Sequence, residues 1–141
     1  MDNDNTSYDE VSPQLDELSS SLMGEALDRL AEGVRINTLV AIQDESGDTT
    51  LLELADDGPE ALLEGARRQV RRTAHAIRYA IVYEGAVGLE DDTFVDALIL
   101  EFGERGHRSY SAYSLFEGRG MGDEFRWTEP APAGEEEPLL G

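Results

Sequence analysis

The chain has no cysteine and no lysine, and its 141 residues include only two histidines and one tryptophan. The missing thiols exclude disulfides, thiolate nucleophiles, Cys-ligated zinc and iron–sulfur clusters together. The missing lysine makes all eleven basic residues arginine. That bias follows from a genome favouring arginine codons, the simpler origin, or from a surface adapted to high salt. No apolar run approaches the roughly 18–20 residues of a membrane-spanning helix. Met1–Glu10 is polar and acidic where a secretory signal starts basic and turns apolar. A soluble, cytoplasmic protein is therefore expected, with no membrane partner.

Catalytic and ligand motifs are missing too. G-x-x-x-x-G-K-[ST], G-x-S-x-G, H-E-x-x-H and the calcium-loop order D-x-[DN]-x-[DN]-G do not occur. His75 and His107 are far apart in the chain, and the acidic runs Asp44–Asp48 and Glu90–Asp92 lack ligand spacing. No catalytic residue, metal or cofactor is implied, and an enzyme is disfavoured without being excluded.

What is present is acid. Eleven basic residues against 31 acidic ones give 11 − 31 = −20. A field of that sign repels phosphate backbones and anionic membranes, and it attracts basic proteins, peptides and cations. Direct nucleic-acid binding is not expected. With 40% of residues hydrophobic, the chain can still offset the entropy of ordering one core.

Three regions follow from composition: an acidic, flexible segment over residues 1–11, one α+β domain over 12–127, and an acidic, disordered tail over 128–141 rich in Pro and Glu. Ser12-Pro13 opens a helix whose apolar stripe is Leu15, Leu18, Leu22, Ala26, Leu30 and Val34, with Gly33 as its C-cap. Period-two runs then predict a hairpin, Ile36–Gln43 with Thr49–Ala55. Asp57 and Glu60 read as a capping box for a second helix striped by Leu62, Ala66 and Val70.

Three more strands follow: Ile77–Glu84, ended or bulged at Gly85; Phe94–Phe102; and Arg108–Phe116. Phe125 and Trp127 suit a short last segment. The expected fold is a mostly antiparallel five-stranded sheet covered by two amphipathic helices, in the order α-β-β-α-β-β-β.

The candidate binding residues fall in two sets. Arg67, Arg68, Arg71, Arg72 and Arg78 could dock an acidic partner or the acidic tail, although Glu60 and Glu64 are spaced to pair with Arg68 and Arg72 along the helix, and that is the simpler reading. Arg119, Gly120 and Gly122 lie in a glycine-rich loop able to offer amides to an anion, but no long helix follows, so a plain connection is simpler. Asp96 and Glu101 interrupt apolar runs, for which sheet-edge placement is the simplest explanation. Tyr79, Tyr83, Tyr110, Tyr113, Phe116, Phe125 and Trp127 are read as core or dimer interface before recognition surface.

The runs Arg78–Gly85, Asp96–Glu101 and Gly103–Gly106 together resemble a pattern in short uncharacterised bacterial proteins, and the resemblance implies no activity or site. The expected function is a non-catalytic acidic interaction protein that binds a basic protein partner in a chaperone-, inhibitor- or immunity-like role, with homo-oligomerisation open. The alternatives are a small-molecule binder or minor enzyme with a sheet–helix cavity lined by Tyr79, Tyr83 or Tyr113 with Glu101, and a protein whose acidity is only salt adaptation.

Overall fold

Helix α1 (Pro13–Ala31) starts as its sequence demands: Ser12 is extended, its hydroxyl accepts the Leu15 amide at 3.1 Å, and Pro13 begins the first turn. The computed structural model describes residues 11–55 and 58–140. Leu15, Leu18, Leu22, Ala26 and Leu30 all face inward, whereas Val34, beyond the helix, is 45% exposed. Glu32 is the C-cap, and Gly33 follows it with φ +85°. The Gly33 amide donates to the Leu30 carbonyl and the Val34 amide to that of Arg29, so a left-handed glycine closes the helix end.

Six further strands and a second helix follow β1 (Thr38–Asp44): β2 (Thr49–Leu54), α2 (Pro59–Arg72), β3 (Ala76–Gly88), β4 (Phe94–Glu104), β5 (Ser109–Glu117), β6 (Arg126–Trp127) and β7 (Ala131–Glu136). The sheet is antiparallel in the order β2-β1-β3-β4-β5, and β6 and β7 both pair with β5. The α+β class and two covering helices are as expected. The sheet has seven strands rather than five.

Because side chains alternate along a strand, each central strand serves two cores. Leu39, Ala41, Ala80, Val82, Leu98, Leu100 and Phe102 pack under α1. Val40, Ile42, Tyr79 and Ile81 pack with Ala66 and Val70 of α2. Such two-sided burial explains why β1 and β3 lack a polar face.

Three expectations need correction. Gly85 does not end β3, which continues to Gly88 and pairs Gly85 with Ala97. The N-cap of α2 is Gly58, with no side-chain cap hydrogen bond; Asp57, the expected cap, lies outside the described residues, as does Met1–Glu10. The tail from 128 is not without structure. Its strand β7 contains Pro132 beside a register shift, a position where an edge strand tolerates the missing donor. Leu139 and Leu140 beyond it are buried against the α2 core.

Burying a leucine side chain stabilises by roughly 1.5–3 kcal/mol. Ending the chain after Glu137 is expected to lower the unfolding free energy by about 3–6 kcal/mol on that basis, read as a lower urea midpoint. A structureless tail would leave the midpoint unchanged.

Candidate functional site

The polar groups closest to a constructed site lie on the α2 face of the sheet. Alternation places Glu101 of β4 between Ile81 of β3 and Ser111 of β5. Its side chain is only 6% exposed. An unpaired carboxylate there is costly, and the fold supplies three donors. Arg67 reaches down from α2 and forks onto it, Nε to Oε1 at 3.1 Å and Nη2 to Oε2 at 2.7 Å, while the Tyr83 hydroxyl donates to Oε2 at 3.1 Å. Glu101 is thus in a central strand, not at an edge; its partners, distant in sequence, explain it.

These groups suit scaffolding better than proton transfer. The hydrogen bond to Glu101 raises the Arg67 pKa further, so the pair stays charged. Burial, reinforced by the Glu101 charge, pushes the Tyr83 phenol far above its ordinary value. Burial likewise pushes Tyr79 up to about 12, against a hydrogen bond with Ser109 that acts to lower it. Tyr79 passes over Gly103, where an added Cβ would come within 2.9 Å of its ring and 2.2 Å of Ser109 Oγ. Ser111 Oγ donates to Glu136 Oε2 at 2.8 Å and ties β7 to β5. His75 and His107 are exposed in the connections before β3 and β5. Among the described residues no three His, Asp or Glu side chains form a possible metal position.

The other singled-out residues are dispersed. Arg78 lies on the α1 face, where Nε and Nη2 donate to Glu104 Oε2 at 3.1 and 2.8 Å and Nη1 donates to Gln43. Arg68, Arg71 and Arg72 are exposed on α2. No ion pair joins them to Glu60 or Glu64 among the described residues, contrary to the helical spacing. The glycine loop is a clasp. Arg119 pairs with Glu84 and lies 5.6 Å from the Phe116 ring centroid, and the Gly120 amide donates to the Leu30 carbonyl at 2.8 Å. Gly120 packs so closely on Gly33 that a Cβ on Gly33 would be 3.3 Å from its Cα. Gly122, with φ +56°, leads into a single 3-10 turn (Gly122–Glu124). The Gly120 amide is therefore committed within the chain.

The aromatics divide as well. Tyr79, Tyr110 and Phe116 are buried, Tyr83, Tyr113 and Phe125 are half-buried, and Trp127 is exposed. No protein family, curated protein or solved structure matches the chain, so its own residues carry the functional argument.

Outside these clusters the surface is acidic. Asp16, Glu17, Glu25, Asp28 and Glu32 line the outer side of α1 and are all exposed, with Arg29 as the counter-charge. Glu90, Asp91 and Asp92 form the exposed turn between β3 and β4, beside the exposed Leu89 and Phe94. Alternation within a strand and the i to i+4 rule expose such residues, but the sequence does not say which faces stay uncovered.

Two pH effects follow. Burial pushes Glu84 up, yet hydrogen bonds from Arg119 and the Ile36 amide outweigh it and hold the carboxyl below the usual carboxylate range. The associated stability is present above that range and is lost as pH falls through it. Glu84→Gln is expected to cost about 1–2 kcal/mol at neutral pH and to flatten the acid limb of a stability–pH curve. Tyr79 and Tyr83 have raised pKa values, so their contribution is present below the ordinary phenol pKa near 10 and is lost as pH rises toward about 12. Phenolate absorbance should show late-titrating groups, one fewer in Tyr83→Phe; complete ionisation with the exposed phenols in the folded protein would contradict this.

Proposed function

We propose that this chain is a non-catalytic interaction protein that holds a basic protein segment against its acidic surface, in a chaperone-, inhibitor- or immunity-like role. The supporting observation is the division of charge. Arg29, Arg67, Arg78, Arg105 and Arg119 are committed to ion pairs with the chain's own acids. The outer side of α1 and the β3–β4 turn keep their acids exposed. Exposed like charges add little to stability and repel one another, so their arrangement favours a partner of opposite sign. The most buried acid, Glu101, is occupied in holding α2 to the sheet.

One observation favours the small-ligand reading. A cavity of about 510 Å³ lies between the start of α1 and the sheet, lined by Met23, Leu100, Phe102 and Ala112. The buried Ser19 hydroxyl at its wall has no hydrogen-bond partner. Tyr79, Tyr83, Tyr113 and Glu101, the sequence-based lining, are not part of it.

The basic-partner reading is tested by capture on the immobilised chain across a salt series, beside a Glu17→Lys, Glu25→Lys, Asp28→Lys variant. Arginine- and lysine-rich proteins should be retained at low salt, released as the Debye length falls from about 10 Å toward 3 Å, and lost by the variant. Retention indifferent to both changes would overturn the reading. Absence of capture with stability climbing steeply into molar salt would assign the acidity to salt adaptation.

A further inference from the structure

Strand β2 is a free sheet edge, pairing only with β1. The Asp44 amide donates to the Asp48 carbonyl, which sets the phase of this hairpin. Because hydrogen-bonded and non-hydrogen-bonded pairs alternate in an antiparallel ladder, Thr50, Leu52 and Leu54 turn their backbone groups toward β1. Thr49, Leu51 and Glu53 turn theirs outward. Edges are commonly blunted by lysine, proline or a bulge. The strand Thr49–Leu54 has none of these, and its one charge, Glu53, is tied to Arg29 and Asn37.

The edge borders a groove. Register places Leu51 opposite Ala41, on the α1 face. Leu51 is 64% exposed and borders both of two cavities, about 400 and 150 Å³, that lie between α1 and β2. The floor is apolar, formed by Leu18, Leu22, Leu39 and Ala41, and the α1 side of the rim carries Glu17 and Glu25. An open strand edge beside a helix-walled apolar groove is the arrangement that strand addition uses: backbone hydrogen bonds provide affinity and alternate side chains provide selectivity.

We propose that an extended segment of a basic partner adds to the outer edge of β2 and turns alternate side chains into this groove. The spacing defines its sequence. Glu17 and Glu25 are eight residues apart on one helix, about 12 Å at about 1.5 Å per residue. Positions i and i+4 of an added strand are about 13 Å apart. A basic residue at each of these positions places its cation at one glutamate and its aliphatic stem along Leu51 or Leu22. An apolar residue at i+2 covers the floor. A second copy of the chain fits poorly, because Thr49–Leu54 offers no cation to either glutamate. This inference rests on the basic-partner reading and assigns it a surface and a motif, basic-x-apolar-x-basic.

The probe is a capped peptide with lysines at positions i and i+4, valine at i+2 and threonines between and flanking. One control replaces both lysines with glutamate; the other N-methylates the amides due to pair with β2. The lysine peptide should bind at least tenfold more tightly than either control, slow amide exchange at Thr49, Leu51 and Glu53, and lose about tenfold on Glu17→Gln with Glu25→Gln. These surface substitutions should leave the urea midpoint unchanged. Leu51→Pro, which removes an outward amide, should abolish binding.

Equal binding of the N-methylated peptide, or no saturable binding of the lysine peptide at low salt, overturns the groove. Salt-sensitive binding that perturbs another surface also overturns it while leaving the basic-partner reading intact; failed capture in the preceding experiment removes that reading itself. A dimer dissolved by Leu51→Pro would make the occupant a second copy and overturn the proposed chemistry.

Discussion

Two-sided burial of the sheet is the constraint on which the other features depend. Once α1 covers one face and α2 the other, β1 and β3 must present apolar side chains at nearly every position: Leu39 and Ala41 to one helix, Val40 and Ile42 to the other. A polar group entering that sandwich must bring its partners with it. Glu101 meets this requirement through Arg67 and Tyr83, and Glu104 through Arg78. The same ion pairs that make the interior tolerable also withdraw cations from the surface. The acidic exterior and the arginine-bound interior therefore have one origin.

The ends of the sandwich are fastened by different means. At the C-terminus of α1, the Gly33–Gly120 contact, the Gly120 amide and the Arg119–Glu84 pair bind the loop after β5 to both the helix and β3. Side chains at Gly33 or Gly120 would separate these backbones, and both positions also need φ above +70°. On the other face, Leu139 and Leu140 return the chain's end to the α2 core. The glycine loop and the acidic tail, the least structured parts of the chain by composition, act as closures.

Coverage by the two helices is incomplete, and the uncovered parts are where interaction is possible. α1 is narrower than the sheet, so a groove remains between it and β2. There the apolar floor continues the core, while the rim carries the helix's solvent-facing acids. Apolar contact and unpaired backbone groups thus meet negative charge at one place, a combination suited to an extended basic segment more than to a small anion or a nucleic acid.

The sequence by itself determined the local elements and the charge. Ser12-Pro13, the α1 stripe, the alternation in β1 and β3–β5 and the excess of acid are properties of neighbouring residues, and period and capping chemistry report them directly. The same logic misread Asp96 and Glu101 together: Asp96 is exposed near the start of β4, whereas Glu101 is buried and paired. Only the tertiary structure decided which arginine reaches which acid, since Arg67 and Glu101 are 34 residues apart and Arg119 and Glu84 are 35. It also decided that β7 forms. Pro132, Gly134 and the glutamates disfavour a strand locally, but the open side of β5 and the pocket for Leu139 and Leu140 stabilise one from outside. Long-range pairing and burial overrode local preference there, as they must wherever the partner lies elsewhere in the chain.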